Sequence, residues 1–98
     1  MENNQPFDAV YGKFPETRTV TTGDLTIIYD LLKNSENGRT FYSINICLHG
    51  SESVTIHDIT NDPDLIYRIF DMICTGTVTP CCAFEVIEDL IESISAHP

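Results

Sequence analysis

What this chain has least of is positive charge. Its 98 residues hold five lysines and arginines against 15 aspartates and glutamates, a formal net charge of −10. The deficit is uneven: residues 1–39 carry six acids and four bases, whereas residues 40–98 carry nine acids and Arg68 alone. Nucleic-acid binding needs a basic stripe to neutralise phosphates, so this balance argues against a DNA or RNA partner. An anionic membrane surface repels such a chain for the same reason. No apolar run approaches the roughly 20 residues that span a bilayer. The opening residues, MENNQPFDAV, lack the basic start and apolar stretch of a secretory signal, which leads us to expect a cytoplasmic protein.

Motifs of catalysis are missing as well. There is no Gly-rich phosphate loop, no nucleophile elbow and no HExxH pair. The expectation is therefore a protein that is not an enzyme and carries no cofactor. Cys47, Cys74, Cys81 and Cys82 form no CxxC, and their spacings fit no common zinc pattern. In a cytosolic setting all four stay reduced.

What is present is a readable fold. With 42% hydrophobic and 20% charged residues, the chain reads as one globular domain with a single core. Residues 1–16, with Pro6, Gly12 and Pro15, read as a tail or strap. Within them Phe7, Val10, Tyr11 and Phe14 share the spacing of one helical face. Such a segment docks on the protein's own core or seeks a partner, and disorder is the third reading.

From residue 17 the pattern turns β-like. Glu36-Asn37-Gly38-Arg39 places an Asn-Gly pair between two extended runs, the signal of a type I′ hairpin. Pairing Glu36 with Arg39 sets Leu31 opposite Ile44, Tyr29 opposite Ile46 and Ile27 opposite Leu48. All six lie on one face, so turn chemistry and hydrophobic alternation agree. A shorter hairpin at Thr22-Gly23-Asp24-Leu25 adds Val20 to that face, and Val54 and Ile56 extend it. Asn61-Asp62-Pro63 opens a helix, with Leu65, Ile66, Ile69, Phe70 and Ile73 as its buried stripe and Gly76 as its C-cap.

Thr79-Pro80 opens a second helix, Thr79 serving as its cap. Here Ala83, Phe84, Ile87, Leu90, Ile91 and Ile94 face the core, opposite Glu85, Glu88, Asp89 and Glu92. The sum is a two-layer α+β domain over residues 17–98: a four-stranded antiparallel meander with two C-terminal helices packed on one face. Its strands are expected at about 17–22, 24–34, 39–49 and 53–59, and its helices at about 62–75 and 79–95.

Three stretches, TFYSINI, IHDIT and VTPCCAFEVIEDLI, resemble a family of small bacterial proteins that is known only as a domain of unknown function. The likeness covers roughly residues 24–92. It implies a compact cytoplasmic domain with no established activity. In that family a His often stands where this chain has Cys82, while the acids that follow match Glu85, Glu88 and Asp89. The departure at Cys82 argues against a catalytic need for imidazole there.

Several constellations bear on function. Cys81 and Cys82 point about 100° apart on a helix, which disfavours them as a bidentate clamp. They read as small residues at a crowded helix corner that Cys74 approaches across the turn. Opposite the core, the sheet carries Thr26, Ile28, Asp30, Leu32, Phe41, Ser43, Asn45, Cys47, His49, Thr55 and His57. Cys47, His49 and His57 there make a weak, incomplete zinc set. Ile28, Leu32, Phe41 and Cys47 make that face more apolar than a solvated sheet requires. The acidic stripe Glu85, Glu88, Asp89 and Glu92 reads as a solvated face or a docking surface for a basic partner.

The expected function is a small non-catalytic protein-interaction or regulatory module, homodimeric, that uses the outer sheet face or the acidic helix; cover of the outer face by the segment with Phe7, Val10, Tyr11 and Phe14 is the competing reading. The alternative is a metal- or thiol-dependent protein built on Cys47, His49 and His57.

Overall fold

The computed structural model describes residues 16–95. The sheet is a meander of β1 (Glu16–Thr22), β2 (Leu25–Glu36), β3 (Arg39–Leu48) and β4 (Ser53–Thr60), in that order across the sheet. Two helices follow, α1 (Pro63–Thr75) and α2 (Pro80–Ser95). The N-terminal strap with Phe7, Val10, Tyr11 and Phe14 lies outside the described residues.

Asn37 and Gly38 take left-handed φ values of 54° and 77°, the two positive angles that a type I′ turn demands. The register that follows is the expected one: Glu36 faces Arg39, Leu31 faces Ile44, Tyr29 faces Ile46 and Ile27 faces Leu48. Val20 pairs with Ile27 across the first hairpin, where Gly23 takes φ 59° in the turn. Period-two alternation thus sends one apolar set inward, and Ile27, Tyr29, Leu31, Ile44 and Ile46 are fully buried. Ile66, Ile69, Phe70 and Ile73 of α1 and Ala83 and Ile87 of α2 close the core from the helical layer.

Each helix junction is fixed by a particular contact. The Asp62 carboxylate accepts from the backbone N–H groups of Asp64 and Leu65 at 3.0 and 3.4 Å, satisfying donors that the first helical turn leaves unpaired. At the other end of α1 the chain closes in a Schellman motif: Val78 N–H donates to Ile73 at 3.1 Å and Thr77 N–H to Cys74 at 3.2 Å. Gly76 is the C-cap but stays right-handed at φ −84°. The left-handed position falls on Thr77, at φ 54°, a strained choice for a β-branched residue. The Tyr29 hydroxyl donates to the Val78 carbonyl at 2.8 Å and so pins this turn to the centre of the sheet.

An edge clamp was not legible beforehand. Glu16 and Arg18 alternate inward with Val20 on β1, so their charged ends reach α1 while keeping part of their surface in water. Arg18 lies 4.9 Å over the Phe70 ring and pairs with Asp71 at 2.7 Å and with Glu16 at 3.0 Å. Tyr67 donates to Glu16. Cation–π stacking and a two-carboxylate grip therefore fasten the edge strand to the helix.

One expectation fails in packing. Phe84 does not face the core; it is 57% exposed. The core-packed residues Ala83, Val86, Ile87, Leu90, Ile91 and Ile94 centre the face of α2 so that Phe84 lies roughly 90° from its middle at about 100° per residue. Val86, on the opposite margin of that arc, packs against the core instead. β4 lies where it was expected but carries an irregularity: Ile44 pairs with Ile56 but Tyr42 with Thr60. The extra residues form a bulge in which Asp58 takes φ 48° and its N–H donates to the buried Ser43 hydroxyl at 2.9 Å. No helix among the described residues is long and apolar enough to cross a membrane.

Candidate functional site

Both helices lie on the inner face, so the outer face of the sheet is where the strands' other alternating set is displayed. The register arranges it in rows. One row runs Thr19, Ile28, Cys47 and Ser53; the next runs Thr17, Asp30, Asn45 and Thr55. Within the second row Thr17 donates to Asp30 at 2.6 Å and Thr55 donates to Asn45 at 2.7 Å. Leu32 sits opposite Ser43, and Phe41 opposite Asn34, beyond that polar row.

The apolar residues therefore fall into two pairs. Ile28 and Cys47 are direct cross-strand partners, and Phe41 is the diagonal neighbour of Leu32. All four are partly exposed. The polar row lies between them. Arg39 reaches over the Phe41 ring at 6.0 Å and forms the rim of this surface.

Charge is scarce on this face. The register assigns two carboxylates to it: Asp30 in the middle, which Thr17 already holds, and Glu36 at the hairpin end, opposite Arg39. A denser group of acids lies elsewhere, with Glu85, Glu88, Asp89 and Glu92 all exposed along α2. Glu88, Asp89, Ile91 and Glu92 line a shallow open depression there. These carboxylates converge on no buried polar group.

The zinc set is not assembled. Cys47 faces Ser53, with the pair Asn45 and Thr55 beyond it. His57 is thus four residues further along β4, about 14 Å at the rise of an antiparallel strand. His49 lies past the end of β3, exposed, its backbone N–H on the Thr26 carbonyl at 2.9 Å. Among the described residues no three His, Cys, Asp or Glu side chains are grouped to hold a metal ion.

The cysteine corner also differs from expectation. Cys74 is buried at 6% exposure, and burial pushes its thiol up to about 11. It belongs to the Arg18 cluster and takes no part in the exposed corner. Cys81 and Cys82 are both exposed, so no crowded packing explains them. Their sulfurs nevertheless stand only 3.7 Å apart. Side chains of a first helical turn lean back toward the N-terminus, where no preceding turn separates them. Thr79, expected to cap α2 with its side chain, accepts the Cys82 N–H on its carbonyl at 3.2 Å. Its hydroxyl turns to the thiols, 3.5 Å from Cys81 Sγ and 3.9 Å from Cys82 Sγ.

Residues 13–93 match a family whose description is Family of unknown function (DUF6514). The chain belongs to this family. The match takes in β1 as well as every later element, and so reaches further toward the N-terminus than the three motifs alone. No curated protein and no solved structure matches the chain.

Proposed function

We propose that this member of the family is a small non-catalytic protein-interaction module that acts as a homodimer, joined through the outer face of its sheet. The observation that carries this reading is charge depletion. A chain of net charge −10 repels its own copies over most of its surface, yet the middle of one sheet face holds only the engaged Asp30 carboxylate between two apolar pairs, and Glu36 at its hairpin end faces Arg39. Loss of charge from the centre of a patch is the compositional mark of an interface core.

The layout also suits a second copy better than an unrelated partner. A two-fold axis through the polar row lays apolar pair on apolar pair and the polar row on itself, the isologous arrangement of cyclic dimers. Facing sheets then interdigitate at the usual spacing of about 10 Å. Any basic partner is left to the acidic side of α2.

Cys47 provides the test, because it sits inside the patch while Cys81 and Cys82 lie in the helical layer. Alkylation of Cys47 is expected to slow as protein concentration rises, with the rates at Cys81 and Cys82 unchanged. Equal Cys47 reactivity in dilute and concentrated protein contradicts the dimer.

A further inference from the structure

The geometry points to Cys81 and Cys82 as a dithiol site for trivalent, thiol-seeking arsenicals. Two exposed sulfurs 3.7 Å apart match the spacing imposed by one soft atom holding both. Two bonds of about 2.3 Å from a trigonal-pyramidal arsenic, at an angle of about 95–100°, place their sulfurs about 3.5 Å apart, which a small turn of the exposed χ1 angles reaches. The Thr79 hydroxyl lies against both sulfurs and holds them on the same side of the helix end.

The same corner is poorly built for an internal disulfide. That bond needs sulfurs about 2.05 Å apart and Cα atoms usually at least 4.4 Å apart. Adjacent Cα atoms across a trans peptide are about 3.8 Å apart. Direct oxidation therefore distorts the first turn of α2, whereas a bridging atom does not.

The chemistry balances without an oxidant. An organoarsenic(III) oxide meets two thiols and two As–S bonds form. Both thiol protons pass to the arsenical oxygen, which leaves as water, and arsenic stays trivalent throughout. The second As–S bond closes intramolecularly, so a vicinal pair holds the arsenical far better than two separate thiols. Cys47 on the outer sheet face and the buried Cys74 offer single sulfurs only. Because the dithiol lies in the helical layer, its test is independent of dimerisation.

Intact-mass spectrometry of the full chain with phenylarsine oxide tests the site, with excess glutathione added to strip single-thiol adducts. The expected result is one arsenical per chain, retained against glutathione, with the net loss of one water. Cys81→Ser and Cys82→Ser should each weaken retention on the order of 10²-fold, whereas Cys47→Ser leaves it unchanged. Both serines replace exposed sulfurs, and far-UV circular dichroism verifies the fold. Peptide mapping of the wild-type adduct gives the same answer without any variant, and should find arsenic on the peptide containing both cysteines. Release of the adduct to glutathione, retention in either serine variant, or arsenic mapped to Cys47 or Cys74 overturns the proposal.

Discussion

On its inner face the sheet buries Ile27, Tyr29, Leu31, Ile44 and Ile46 completely, while their alternating neighbours Ile28, Asp30, Leu32, Asn45 and Cys47 on the outer face keep part of their surface in water. The backbone is the same on both sides, so period two alone sorts the two sets. What separates them is the cover. Two helices close the inner face and make it the source of stability. The outer face contributes less to folding and is correspondingly free to serve recognition. In so acidic a chain this half-apolar surface carries little charge, Asp30 being the carboxylate at its middle.

The sharpest way to break this contrast is to truncate matched residues on the two faces. Ile44→Ala removes buried methylenes and leaves a cavity, at an expected cost of about 2–5 kcal/mol. Leu32→Ala, measured by urea unfolding at a protein concentration too low for dimer, is expected to cost less than about 1 kcal/mol. Equal costs would mean that the outer face is a second core.

The next effect is alkaline instability seated on the inner face. Burial pushes the Tyr29 hydroxyl up from 10.0 to about 12 and the Cys74 thiol up from 9.0 to about 11. Both groups hold their protons more tightly when folded. Their contribution is complete below the unfolded values and is lost progressively as pH rises through the folded ones. Urea midpoints should therefore be flat up to about pH 9 and fall between about pH 9 and 12. A midpoint that is unchanged across that window contradicts the burial of these groups.

A smaller gain is expected at the turn between the helices. Thr77 takes the left-handed angle that costs a β-branched residue roughly 1–2 kcal/mol, so Thr77→Gly should raise stability by about 1 kcal/mol after glycine's extra unfolded-state entropy is deducted. Thermal unfolding measures it. A lower melting temperature would show that the Thr77 side chain outweighs its backbone strain.

The sequence made some of this plain and hid the rest for identifiable reasons. The Asn37-Gly38 turn and the alternation of Ile27, Tyr29 and Leu31 constrain one another, so the central hairpin register could be read residue by residue. The Asp58 bulge could not, because Val54 and Ile56 fit a regular strand; the signal was Ile59, three residues on and also packed against the core. Phe84 misled because it falls beside Ile91 on the helix, whereas the core-packed face is centred farther round, on Ala83 and Ile87. Arg18 and Glu16 carried no signal of the clamp, since only tertiary structure brings Phe70 and Asp71 to Arg18 and Tyr67 to Glu16. For the candidate sites, the outer-face pairs followed from the register. The zinc set failed once the pairing of Cys47 with Ser53 fixed how far away His57 lies. The approach of the two thiols depends on side-chain lean at a helix end, which a helical wheel omits.

The central claim is that the outer face joins two copies, and light scattering over a concentration series tests it most directly. The wild-type chain should scatter with twice its 11.0 kDa mass, and Phe41→Asp should return it to the single-chain mass while the circular dichroism spectrum stays that of the folded protein. A wild-type mass of 11.0 kDa at the highest concentration, with Phe41→Asp indistinguishable from it, contradicts the account.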